Sequence, residues 1–277
     1  MLFNSLVPRR RPIRHRGITR FFGVLCAVAL LTSCGHAPPQ DFRFEQPVVL
    51  LGEVHDNAAQ HALRLRAFER WLGAGARPAL VMEQFDRERQ GVIDTLRAQA
   101  PALDADQLIA AAGGRGWQWQ FYRPFVELAL QYRLPIVAGN VSRDDARKIM
   151  REGLEATGFN AAVPTELLEL QANDIAASHC GMVDADTARR MALAQVARDQ
   201  AMAAAIETHA ARGVLLLAGN GHVRIDAGVP RWLSPATRAR SEAIGVLELQ
   251  TPDAGRFDRV VRTAAQARPD PCEAIRR

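Results

Sequence analysis

Two histidines close short apolar runs far apart in the chain: His55 ends VVLLGEVH (48–55) and His222 ends VLLLAGNGH (214–222). Each follows a glycine by three positions, Gly52 and Gly219. An imidazole exchanges its proton near neutral pH and ligates metal through a bare ring nitrogen. Glu83, at the end of ALVME (79–83), adds a carboxylate, and Asn140 and Arg143 add an amide and a guanidinium after PIVAGN (135–140). His55, Glu83 and His222 are thus two imidazoles and a carboxylate, a candidate functional set if the fold brings them together. The chain has no Gly-x-Ser-x-Gly and no His-Glu-x-x-His, so neither a serine-hydrolase elbow nor a zincin is indicated.

These groups reach one place only if the runs before them are neighbouring strands. Aliphatic runs at 48–52, 79–83, 135–140, 214–220 and 243–249 read as buried strands, with a possible edge strand at 256–263. Helical patterns separate them at 56–75, 86–99, 104–112, 118–132, 143–156, 164–178 and 185–211. Strands alternating with helices predict an α/β fold: a mostly parallel sheet flanked by helices, with a helical insertion at about 143–211. In such a sheet the site lies outside the carboxyl ends of the strands, where these residues fall, and each glycine is expected to let the chain turn tightly.

Other residues carry plainer readings. Asp56 is expected to cap the first helix, and Glu53 to sit near that helix's N-terminus in favourable relation to its dipole. His61 and His209 read as structural. The stretch ASHCGMVD (177–184) gathers His179, Cys180 and Met182, ligand types for a soft metal or haem iron, or merely a helix end with a Gly181 stop. Trp117, Trp119, Phe121 and Tyr122 lie together and could floor a flat pocket or pack in the core.

Residues 1–33 are read apart from the fold. An Arg-rich stretch (9–20) precedes an apolar run (21–31) of eleven residues, too short for the ~20 that cross a bilayer and suited to a secretory signal. It leads to LTSCG, where Cys34 is the candidate lipidation site. Six arginines leave with that segment, turning a formal charge of +5 into −1, so the basic balance implies no nucleic-acid partner. A tether (34–44), a domain (45–263) and a C-terminal tail (264–277) follow. Cys180 and Cys272 could form a disulfide in an exported protein.

Several segments, in order, resemble the ChaN-like haem-binding lipoproteins of the Tiki-like superfamily: LLGEVHDNAAQH, LVMEQFDR, WQWQFYRPFVELA, LPIVAGNVSR, SHCGM, AQVARDQAMA and LLLAGNGHVRIDAGVP. The resemblance implies an α/β core with a helical subdomain, a bacterial lipid anchor (on the outer membrane, because Gly35 rather than Asp follows Cys34), and haem binding for iron acquisition at a homodimer interface. It also implies a tyrosine ligand to haem iron, for which Tyr122 in FYRPF is the candidate and Tyr132 the weaker one, with His55, His222, Arg143 and His179 as further haem-binding candidates. Tyrosinate is a hard donor suited to ferric iron. The wider superfamily resembles hydrolases, including erythromycin esterases, which implies that His55, Glu83 and His222 are catalytic, either binding a divalent metal with an open position to activate water or acting as acid and base without metal.

Overall fold

The computed structural model describes residues 42–100, 102–253, 255–270 and 272–273. The leader, Cys34 and most of the expected tether lie outside the described residues.

Six parallel strands form one sheet in the order β3-β2-β4-β1-β5-β6. They are β1 (Val48–Leu51), β2 (Ala79–Asp86), β3 (Ile136–Asn140), β4 (Val214–Leu217), β5 (Ser241–Glu248) and β6 (Arg259–Thr263). The helices are α1 (Ala58–Gly73), α2 (Gln90–Gln99), α3 (Ala105–Ala112), α4 (Trp119–Gln131), α5 (Arg143–Glu152), α6 (Thr165–Ser178), α7 (Ala185–His209), and the short α8 (Asn220–Val223) and α9 (Pro235–Arg238). The chain is α/β, and every strand pairing is parallel. With both faces covered, the central strands need no polar alternation, and all four residues of β1 and of β4 are buried.

Strand parity sorts the core into two layers. Val49, Leu51, Leu80, Met82, Leu215 and Leu217 pack against α1 and α4 through residues such as Leu63, Phe68, Tyr122 and Phe125. Val48, Leu50, Val81, Val214 and Leu216 face the other way, onto Met202, Ala203 and Ile206 of α7. The segment expected to be a helical insertion is therefore divided. The C-terminal half of α7 is a layer of the main core, whereas its N-terminal half pairs with α5 and α6 in two satellite cores.

Boundaries shift where local chemistry differs from the expected pattern. β2 runs on to Asp86, and a 3-10 turn precedes a later-starting α2. β4 stops at Leu217, and Asn220 to Val223 form a helical turn instead of strand. Asp56 does not cap α1. Asn57 does, its side chain accepting from the Gln60 N–H, while Asp56 pairs with Arg268 at 2.8 Å. Cys180 and Cys272 are joined in a disulfide with Cα atoms 5.6 Å apart, which fastens the tail to the turn between α6 and α7.

Candidate functional site

β4, more than 160 residues after β1 in the chain, inserts between β1 and β2. Leu51 and Met82 both stand in register with Leu217. The residues that follow these three therefore leave the sheet at one level, carrying Glu53 and His55, Glu83, and Asn220 and His222 onto a common rim. They line a cleft of about 1330 Å³.

The two glycines serve each other's motif. A Cβ at Gly52 would lie 2.2 Å from Asn220 Oδ1, and one at Gly219 would lie 2.9 Å from His55 Cε1 and Nε2. Gly219 has φ −59°, and Gly52 is not among the positive-φ residues. Close approach, rather than the expected tight turn, is what requires glycine at both positions. The Asn220 side chain then completes the sheet, donating to Val246 O at 2.7 Å and accepting from Val246 N–H at 3.0 Å.

Parity also gives each histidine its own carboxylate. Glu53 continues the α1–α4 side of β1 and is buried there. It accepts from the guanidinium of buried Arg64, from the Tyr122 hydroxyl, and from His55 Nδ1 at 2.7 Å. Because all these contacts ask the carboxylate to accept, a His55 proton is assigned to Nδ1, and Nε2 has no hydrogen-bond partner among the described residues. His55 is half exposed, at 49 % of its side-chain surface, and its ring meets Trp117 edge-on with centroids 5.0 Å apart.

Glu83 points to the α7 side. Its Oε2 accepts from the Gly219 N–H at 2.8 Å, and its Oε1 stands 3.5 Å from His222 Nε2. The other nitrogen of His222 lies 2.6 Å from Asp199 Oδ1 of α7. Burial works against a charge on His222, but the Glu83 and Asp199 carboxylates outweigh it and hold the imidazolium up to about 10. Burial would likewise raise Glu83, yet the His222 charge and the Gly219 N–H hold its carboxyl down at about 2. Asp199 is pushed upward by its burial. The rim thus presents half-exposed His55 beside Glu53 and enclosed His222 between Asp199 and Glu83, with the Glu83 carboxylate at the cleft floor.

A model of the haem-binding uptake (ChaN) family, Tiki superfamily, matches residues 44–233. The chain belongs to this family. Among solved structures, ChaN of Campylobacter jejuni, described with cofacial haem binding, is similar with a TM-score of 0.66 and 21% identity over 78% of this chain and 86% of that one. A mutant of the erythromycin esterase EreC is more distant, with a TM-score of 0.42 and 14% identity over 74% and 70% of the two chains. No curated protein sequence matched.

Against the residues expected from ChaN-like sequences, the structure makes several corrections. Tyr122 is fully buried, gives its hydroxyl to Glu53, and has its phenol pushed well above the ordinary range by burial. It braces His55 and does not line the cleft. Tyr132 caps the end of α4 with Arg77 over its ring, at 4.8 Å from the centroid. His179 bonds the Ile175 carbonyl of its own helix at 2.8 Å, and Cys180 is in the disulfide, so the soft-ligand cluster dissolves. His222 is enclosed between two carboxylates, with Nδ1 2.6 Å from Asp199 Oδ1 and Nε2 3.5 Å from Glu83 Oε1. Among the described residues no group of three His, Cys, Asp or Glu side chains stands at metal-binding spacing. Of the neighbouring aromatics, Trp117 lines the cleft while Phe121 stacks on buried His61 with centroids 4.5 Å apart. Arg143 does line the cleft.

Three participants escaped sequence reasoning: Arg64, Asp199 and Arg198. The first two left a trace. Arg64 stands in the apolar stripe of α1 with Gln60, Ala67 and Phe68, and Asp199 stands among Val196, Met202 and Ala203. A charge on the buried stripe of a helix signals a partner from elsewhere.

Proposed function

We propose that the protein is a lipid-anchored haem or iron-complex carrier of the bacterial envelope. In this reading it is tethered to the outer membrane through Cys34, acts as a homodimer in iron acquisition, and offers His55 to haem iron. Family membership supports haem as cargo, and the leader, apolar run and Cys34 support the anchor. The observation that carries the ligand assignment is the setting of His55: half exposed on the cleft, with Nδ1 tied to Glu53 and Nε2 without a partner among the described residues. A carboxylate behind Nδ1 is the usual support for a ligating imidazole, fixing its tautomer and raising its basicity. Titrating the full chain with hemin at micromolar concentration is expected to give a shifted Soret band that disappears in His55→Ala and survives in Tyr122→Phe. No spectral change in the parent protein would overturn the carrier reading, and loss of the band in a folded Tyr122→Phe alone would return the ligand role to that tyrosine.

A second reading, hydrolysis by acid–base catalysis, is favoured by the meeting of His55 and His222 on one rim, each held by its own carboxylate. His55 would take a proton from water and His222 would donate one to a leaving group, without a metal. In this case ester hydrolysis falls in both His55→Ala and His222→Gln, whereas the carrier reading leaves hemin binding intact in His222→Gln.

A further inference from the structure

The wall of the cleft away from His55 carries two cations, Arg143 and Arg198, that make no ion pair among the described residues, although Glu83, Asp86 and Asp199 stand near enough to attract Arg198. Among the described residues Arg143 has no hydrogen bond or ion pair, and its guanidinium lies against Gly116, where a Cβ would stand 2.9 Å from Nη2. Arg198 of α7 donates to a neutral partner, Gln195 Oε1 at 2.7 Å, and no carboxylate comes within ion-pair distance of it. Its burial makes that charge costly, and burial lowers its pKa. Asn140, 8% exposed, uses Oδ1 to accept from Val141 N–H at 2.9 Å, leaving its Nδ2 without a partner among the described residues.

The acids of this wall do not cancel these donors. Glu88 is engaged by Arg87 at 3.2 Å and Asp144 by Arg147 at 2.8 Å. Asp86 remains, and burial raises its pKa, disfavouring its charge. A half-buried guanidinium, an exposed guanidinium and an amide N–H lining one cleft are donors of the kind that hold an oxyanion. Asn140, Ser142, Arg143, Arg147 and Arg198 give this wall polar side chains, which suit a smaller ligand than a porphyrin.

We propose that Asn140, Arg143 and Arg198 form a binding site for a carboxylate or phosphoryl group of a small polar molecule, distinct from the haem ligand at His55. Calorimetric titration of the haem-free full chain with citrate, and separately with inorganic phosphate, both in chloride buffer, tests it. One of the two anions is expected to bind at millimolar concentration or below, and which one binds identifies the group. Arg143→Ala, an exposed position whose loss leaves the fold intact, should weaken that binding about tenfold, the loss of one charge-assisted hydrogen bond. Asn140→Asp should abolish it by placing a negative charge on the wall. Hemin titration of Asn140→Asp separates this site from the carrier reading, because hemin binding through His55 should persist. Absence of heat with both anions, or equal affinity in the parent and both variants, overturns the proposal.

Discussion

At the scale of single residues, the decisive feature is a carboxylate removed from water. Glu53 is enclosed, and it is tolerated because Arg64, Tyr122 and His55 all donate to it. Arg64 in turn also reaches the Leu51 carbonyl at 3.2 Å and has no exposure of its own. Breaking such a pair from one side leaves a charge buried without its counter-ion, at a cost of about 3–5 kcal/mol. Glu53→Gln therefore carries two expected outcomes. Urea denaturation should show a midpoint lowered by that order of free energy. Hemin affinity should also fall in the remaining folded protein, because the neutral amide no longer fixes the His55 tautomer. A variant as stable as the parent would show that the Arg64 charge finds other relief.

At the scale of elements, the site depends on β4 lying between β1 and β2 and on loops that touch across that insertion. Gly219 is the sharpest test, since a methyl group there would stand 2.9 Å from the His55 ring. The ring has room to move toward solvent, so Gly219→Ala should cost a modest 1–3 kcal/mol or so while displacing His55 from Glu53. Hemin binding is then expected to drop much more than stability does, as measured by Soret titration beside thermal melting. Equal loss of both would mean that the substitution disrupts the strand ends generally. The opposing arrangement at Gly52, filled by Asn220, holds the ladder to β5 and predicts the reverse balance.

At the scale of the whole molecule, the C-terminal tail ties the far edge of the sheet to the rim. Asn57 donates to Ala264 O at 3.0 Å, and Arg268 reaches Glu248 at 2.7 Å and Asp56 at 2.8 Å. The disulfide then joins the tail to the α6–α7 turn. The Arg268 guanidinium, helped by the Gln266 N–H and Asn57, holds the Glu248 carboxyl down at about 2, from an ordinary 4.5. Because the folded-state value is the lower one, this contribution is complete above about pH 4.5 and is lost as pH falls from there through 2. The clamp is partly exposed, so screening limits it to about 1 kcal/mol. Arg268→Ala should lower the thermal midpoint at pH 7 and leave it nearly unchanged at pH 2. Equal destabilisation at both pH values would point to lost packing instead of charge.

The strand–helix alternation, the rim position of His55, Glu83 and His222, and the family were legible in the order of residues, because buried parallel strands write themselves as continuous aliphatic runs and the rim residues follow directly after them. Bond partners were not legible. Tyr122 sits in a motif that suggested an iron ligand, yet the parity of β1 turns Glu53 toward α4 and takes up the phenol. His222 looked interchangeable with His55, yet it is enclosed and bonded through Nδ1 to Asp199, from a helix 23 residues earlier. Local sequence determined which groups arrive at the strand ends. Only the insertion of β4 and the docking of α1, α4 and α7 decided their protonation and exposure, since those depend on charges and burial contributed by segments remote in the chain.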